Sequence, residues 1–252
     1  MKTLQGFGYR RGTSAVHRLD PRSKMIYVLL FAALAVYFAN LLVLLLIFAS
    51  SLPLVALGKV SDRWSRSIRG SLFFIVFIFT FNFIAMIFMS YPLLDAALSG
   101  ISMSLRFITL ISVFSAFFLT TSPEDLAQSM VQLRVPYDYA LTFNMAMRFV
   151  PTLSREAQII IDAQRSRGLE LEKGSLIQRV KNYVPILIPL IISSFRRAEL
   201  VADAMESRAF GASKKRCPLY VLTLRGGDYA FIAVTVVSFL LILSLRFVLG
   251  VP

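Results

Sequence analysis

The chain has 252 residues, 57% of them hydrophobic and 16% charged, with a mean hydropathy of +0.70 and a formal net charge of +13. A soluble domain carries about a quarter charged residues, so this composition calls for lipid as solvent and excludes an ordinary water-soluble globule. The basic residues sit in blocks between apolar runs, which favours a membrane over nucleic acid as partner, and a single cysteine (Cys217) and histidine (His17) exclude a disulfide framework or a Cys/His zinc site.

The first twenty-four residues hold several charges and no apolar stretch, so no cleavable signal peptide is expected. From Met25 to Leu57 no charge occurs. One helix over that run would be about 50 Å long, against a hydrocarbon core of roughly 30 Å. The arm before it carries Arg10, Arg11, Arg18, Arg22 and Lys24, and the loop after it carries Lys59, Arg63, Arg66 and Arg69 against Asp62. Two basic flanks are both cytoplasmic by the positive-inside rule, which requires an even number of crossings. The run therefore predicts a helical hairpin of two short spans turning near Asn40.

Gly70 to Leu94, uncharged and rich in Phe and Ile, predicts a third span, and about Ile101 to Thr121 a fourth. Arg106 lies near the expected start of the fourth, where snorkelling to the interface is the simplest account. Asn82, within the third, suits an interhelical hydrogen bond. Trp64, Tyr27 and Tyr229 fall near expected interfaces, as belt residues do. Lys214, Lys215, Arg216 and Arg225 precede a last span, about Tyr229 to Val248. Five spans with the N-terminus in the cytoplasm and the C-terminus outside satisfy every basic loop.

The stretch from Thr121 to Asp228 mixes charge with apolar residues. Ser122-Pro123-Glu124-Asp125 is a helix start, with serine at the N-cap, proline at N1 and acids in the first turn. That short helix ends before Pro136, a second runs to about Arg167, and a third from about Ser175 to Arg208. The third contains the uncharged Asn182 to Phe195, too short for an ordinary span and interrupted by Pro185 and Pro189. Long, partly amphipathic helices at the cytoplasmic surface are expected here.

Both long helices close alike, the first with Ala163-Gln164-Arg165-Ser166-Arg167-Gly168 and the second with Ala204-Met205-Glu206-Ser207-Arg208-Ala209-Phe210-Gly211. Arginine in a last turn complements the macrodipole and glycine ends helices routinely. Two matching ends also suit a second role, in which small neighbours free each guanidinium to fork onto a carboxylate in a partner's groove.

These segments resemble the transmembrane T component of energy-coupling factor transporters, the EcfT/CbiQ family. The resemblance rests on four landmarks in order: Leu19-Asp20-Pro21-Arg22-Ser23-Lys24; Thr120 to Leu126 continuing to Leu133-Arg134-Val135-Pro136; Met147-Arg148-Phe149-Val150-Pro151; and the two helix ends just quoted. It implies a scaffold whose cytoplasmic coupling helices end in Ala-Arg-Gly-like motifs, each docking on one of two ABC-type ATPase subunits. Those motifs would be Ser166-Arg167-Gly168 and Ser207-Arg208-Ala209. Alanine disfavours the left-handed cap that glycine accepts, so Gly211 is an alternative stop for the second helix. A separate membrane-embedded S component, binding a vitamin or metal ion, is the other implied partner.

The expectation is thus an all-α integral membrane protein of about five transmembrane helices plus long cytoplasmic coupling helices. Residues 1–121 would form an arm and four spans, 122–227 the coupling region, and 228–252 the last span. Paired-carboxylate motifs, metal-ligand clusters and nucleophile–base pairs do not occur in or near the expected spans, and no Walker-A pattern occurs anywhere in the sequence, so neither an enzyme nor a cofactor-binding protein is expected. An autonomous secondary transporter or channel is the competing reading. Ionisable or unwound mid-membrane segments would be its mark, and Arg106 is the one residue that fits.

Overall fold

The computed structural model describes residues 14–133, 135–171, 173, 175–213 and 223–249. Arg10, Arg11, Arg134, Lys214, Lys215, Arg216 and Cys217 lie outside the described residues. After a 3-10 turn, Ala15–Arg18, come α1 (Pro21–Tyr37), α2 (Leu41–Gly58), α3 (Ser61–Gly70), α4 (Leu72–Phe88), α5 (Leu93–Thr120), α6 (Pro123–Gln132), α7 (Tyr137–Ser166), α8 (Leu176–Glu206) and α9 (Gly226–Leu249). The chain is all-helical among the described residues, and it divides into two compact units, Met1–Leu133 with Leu222–Pro252, and Arg134–Val221.

α1 is the centre of the first unit. Ser23, Lys24, Tyr27, Val28, Phe31, Leu34 and Ala35 are buried at three- and four-residue spacings. They meet Val43, Leu44 and Ile47 of α2, Val113 of α5 and Ile242 of α9 in one cluster. The expected break lies at Phe38–Asn40, and Asn40 caps α2 by accepting from Leu42 N at 2.9 Å. α5 supplies the close packing with small buried residues: Ala96, Gly100, Ser104, Thr109, Ser112 and Ala116. A Cβ on Gly100 would stand 3.0 Å from the Phe79 ring, so any larger residue there would require the ring to shift by a few tenths of an ångström.

Among the described residues three helices are long and apolar enough to cross a membrane: α2, α5 and Gly226–Ser244 of α9. α3 and α4, bent by 44° at their junction, make a fourth if taken as one broken span. The chain is therefore a multi-pass membrane protein. The difference from an expectation of five is α1, whose 17 residues sit at the lower limit for a span. α7 and α8 are not among the candidate spans, in keeping with the short apolar stretch of α8.

Several side chains differ from expectation. α5 starts eight residues before Ile101, which puts Arg106 well inside the helix. Instead of snorkelling, Arg106 Nη2 donates to Phe38 O at 2.9 Å. The break after α1 leaves its last carbonyls without helical partners, and the guanidinium fills that need at the negative end of the dipole. Tyr27 is buried, not a belt residue, with its ring stacked on Phe31 at 4.5 Å. Trp64 is drawn inward, its indole N–H donating to Ser112 Oγ at 2.9 Å. Asn82 does form the expected interhelical bond, accepting from Ser99 Oγ at 3.0 Å.

A polar junction joins α1, α5 and α9 at one end of the bundle. Asp228 Oδ1 accepts from Asp20 N and Oδ2 from Arg225 N, both at 2.7 Å. One carboxylate thus reaches back to the N-cap N–H of α9, the N3 half of a capping box, and ties the helix to the start of α1. Lys24 Nζ crosses to Thr120 O, the last residue of α5, at 2.9 Å. Asp20, Lys24 and Asp228 are all buried, and a lost partner in such a setting leaves a buried polar group unsatisfied.

Candidate functional site

The second unit is an antiparallel pair. Arg197 Nη2 of α8 lies 2.5 Å from Glu156 Oε2 of α7, and Gln164 Nε2 donates to Pro185 O at 3.4 Å. Past the end of α7, Asn182 Nδ2 donates to Glu170 O at 2.7 Å. Pairing of rising with falling residue numbers fixes the antiparallel sense.

α7 stops in a Schellman motif. Leu169 N donates to Gln164 O at 3.0 Å and Gly168 N to Arg165 O at 2.9 Å, with Gly168 at φ +86°. α8 stops the same way: Phe210 N donates to Met205 O at 3.0 Å and Ala209 N to Glu206 O at 2.9 Å, with Ala209 at φ +57°. Ala209 itself therefore takes the left-handed position, and Gly211 (φ +87°) serves a later turn rather than the helix stop. A methyl group at that φ costs about 1 kcal/mol that glycine would not incur.

Each arginine is thus the residue just before the left-handed one. Ser166, Arg167, Gly168, Ser207, Arg208 and Ala209 are all exposed. The serines turn back on their own helices, Ser166 Oγ to Asp162 O at 3.0 Å and Ser207 Oγ to Ala204 O at 3.1 Å, which keeps them clear of the guanidinium. Neither Arg167 nor Arg208 is in an ion pair with a carboxylate among the described residues. No group of three His, Cys, Asp or Glu suited to a metal occurs among the described residues.

The antiparallel pairing separates the two tips. Arg167 lies eleven residues beyond Glu156, and Arg208 eleven residues beyond Arg197, in opposite directions from one ion pair. At 1.5 Å per residue each tip is about 16 Å from that level, so the guanidinium-bearing ends are roughly 30 Å apart. The pair is a rod with the same chemical group presented at either end.

A family model described as CbiQ, cobalt transport protein, matches residues 12–219, a range that holds both tips. The chain belongs to the EcfT/CbiQ family. Relatives in that family carry the name energy-coupling factor transporter transmembrane protein EcfT. The one from Bacillus subtilis (strain 168) is 34% identical over 258 residues, covering 94% of this chain and 96% of its own. That from Brevibacillus brevis is 34% identical over 248 residues, 91% and 94% of the two chains. The Staphylococcus aureus (strain 04-02981) relative is 34% identical over 225 residues, 81% and 82%. Membership makes the chain a membrane component of a transport system, in line with its spans.

The two tips are legible in the sequence, whereas the Leu19–Lys24 landmark shows no structural role there. In the fold it builds the polar junction: Asp20 caps α1, accepting from Arg22 N at 2.9 Å, and Lys24 reaches Thr120. The signal was visible in Asp20-Pro21, an acid before a proline at a helix start, as at Ser122-Pro123. Asp228, the partner in the junction, carried no such local signal.

Proposed function

We propose that this chain is the transmembrane coupling subunit of an ECF-type ABC importer in the plasma membrane. In this reading two ABC-type ATPase subunits dock from the cytoplasm, one on Ser166-Arg167-Gly168 and one on Ser207-Arg208-Ala209. The α7–α8 rod, in a coupling region of residues 122–227, carries their ATP-driven relative motion to a membrane-embedded S component that binds the vitamin or transition-metal ion. The chain itself performs no catalysis and needs no cofactor. Its N-terminus lies in the cytoplasm, as the basic arm implies.

The supporting observation is the repeated helix end: two exposed arginines in the same Schellman geometry, roughly 30 Å apart at opposite ends of one rod. Two docking points that far apart suit two separate subunits. A stiff helical pair tied by the Glu156–Arg197 bridge suits a lever.

Co-purification tests it. Arg167→Ala combined with Arg208→Ala is expected to lower ATPase capture by the detergent-solubilised chain at least tenfold, since a buried arginine anchor contributes about 2 kcal/mol or more to an interface. Its melting temperature should stay at the wild-type value. Undiminished capture by that double variant would sink the docking assignment.

A further inference from the structure

α3 is a short basic helix between two apolar ones. α2 ends at Gly58 and α4 begins at Leu72, and neither holds a charged residue. The connection between them carries Lys59, Arg63, Arg66 and Arg69 against one carboxylate, Asp62.

The helix has two distinct sides. Trp64 holds one against the bundle, through the Ser112 hydrogen bond at 2.9 Å and ring contact with Phe48 at 6.2 Å, beside Val60 and Leu119. Asp62, Arg66 and Arg69 lie exposed on the other. At 100° per residue, Arg66 and Arg69 are about 60° apart on the side away from Trp64. Arg66 Nε donates to Asp62 O at 3.2 Å, and Arg69 Nε and Nη2 reach Ser65 O and Oγ at 3.4 and 3.3 Å. These contacts lay each guanidinium along its own helix. None of the four cations is in an ion pair with a carboxylate among the described residues.

Position decides what they meet. α4 exposes a ladder of rings, Phe73, Phe77 and Phe81, stacked at 6.5 and 6.1 Å. An uncharged helix with that surface is solvated by acyl chains, so the helix joined to it by a 44° bend starts where hydrocarbon gives way to headgroups. The groups waiting there are phosphodiesters, which match a guanidinium in charge and hydrogen-bond geometry. Four basic residues beside a span are also the usual pattern of an anionic-lipid contact.

We propose that the arginine face of α3, Arg66 and Arg69 flanked by Lys59 and Arg63, binds the headgroups of anionic phospholipids at the membrane surface. Asp62 lies between the two arginines, and its charge limits the face to a net excess of basic groups. The assignment depends on the membrane location of the chain and not on ATPase docking, so either can fail alone.

Trp64, the only tryptophan of the chain, sits on this helix and reports on it. The detergent-solubilised full chain is titrated with phosphatidylglycerol, with phosphatidylcholine and with soluble glycerol phosphate, following Trp64 fluorescence. Phosphatidylglycerol alone is expected to give a saturable change. Arg66→Gln with Arg69→Gln should weaken it about 25-fold, given a roughly fivefold gain in partitioning per basic residue. Arg66→Lys with Arg69→Lys, which keeps the charge, should retain most of the binding. Arg165→Gln with Lys173→Gln, removing equal charge elsewhere, should leave it unchanged. An equal response to glycerol phosphate or phosphatidylcholine overturns the proposal. So does an unchanged titration of the glutamine pair, or an equal loss in the charge-matched control.

Discussion

α1 buries eight of its 17 residues, whereas α7, with 30, buries only Ala140. α8 is as open as α7: among its described side chains Ile186 is buried, while Ile177, Val180, Ile191, Ile192 and Phe195 are exposed. The first unit is held by small-residue packing around α1 and by polar bonds locked at one end. Among the described residues the second is held by one cross-helix ion pair, a few hydrogen bonds and two well-made helix ends. A chain that leaves so much apolar surface on two long helices has committed that surface to lipid or partners rather than to its own core. Stability is thereby concentrated in the first unit, and in the proposed function coupling falls to the second; substitutions should show it.

The sharpest test of the division is Asp228→Ala. It strips two charge-assisted bonds, one from the buried N–H of Asp20 and one from the partly buried N–H of Arg225, and should cost about 3 kcal/mol of unfolding free energy in mixed-micelle denaturation. A loss under about 1 kcal/mol would mean that the polar junction does not hold α9 to α1.

In the second unit the effects should be smaller and local. Gly168→Ala places a methyl group at φ +86°, and Ala209→Gly removes one at φ +57°. Amide exchange at Leu169 should quicken about fivefold in the first variant, and exchange at Phe210 should slow by a similar factor in the second, each reflecting about 1 kcal/mol. Matching shifts of opposite sign would establish that the two ends are energetically as well as geometrically alike; a null result at either end would separate them.

The smallest effect expected is a pH dependence in the first unit. His17 is held below the usual imidazole range, chiefly by burial and then by the Lys24 charge, with a backbone hydrogen bond at Leu119 opposing and Arg63 adding to the depression. The folded chain then binds fewer protons here than the unfolded chain. Its contribution is complete above the model-peptide value of 6.5 and is lost as pH falls through 6.5 toward the lowered folded value. Melting temperature should drop between about pH 8 and about pH 5.5, and His17→Gln should flatten part of that slope. An unaltered slope in the variant would assign the titration to other groups.

Much of this architecture was legible because its signals are local. Asn40 marks a turn in an uncharged run too long for one span, Ser122-Pro123 opens a helix, and Gly168 closes one. Charge blocks located the apolar segments between them. The count of spans was less legible, since α1 is short for a crossing and α3 bends away from α4. Arg106 and Tyr27 depart from expectation for a common reason: hydropathy places a residue along a helix but not on a face. Facing is set by neighbours distant in sequence, such as Phe38 for Arg106 and Phe231, 6.0 Å from the Tyr27 ring.

What the linear chain determined alone is that it must dissolve in lipid, where its capped helix ends at Asn40, Ser122 and Gly168 fall, and that two helices close on the same arginine motif, because each of these follows from composition or from contacts within a few residues. What only tertiary structure decided is that the two arginines point to opposite ends of one rod and that Lys24 and Asp228 are committed to a buried junction. Those outcomes depend on which helices lie side by side, and such pairings are fixed by packing between residues far apart in sequence.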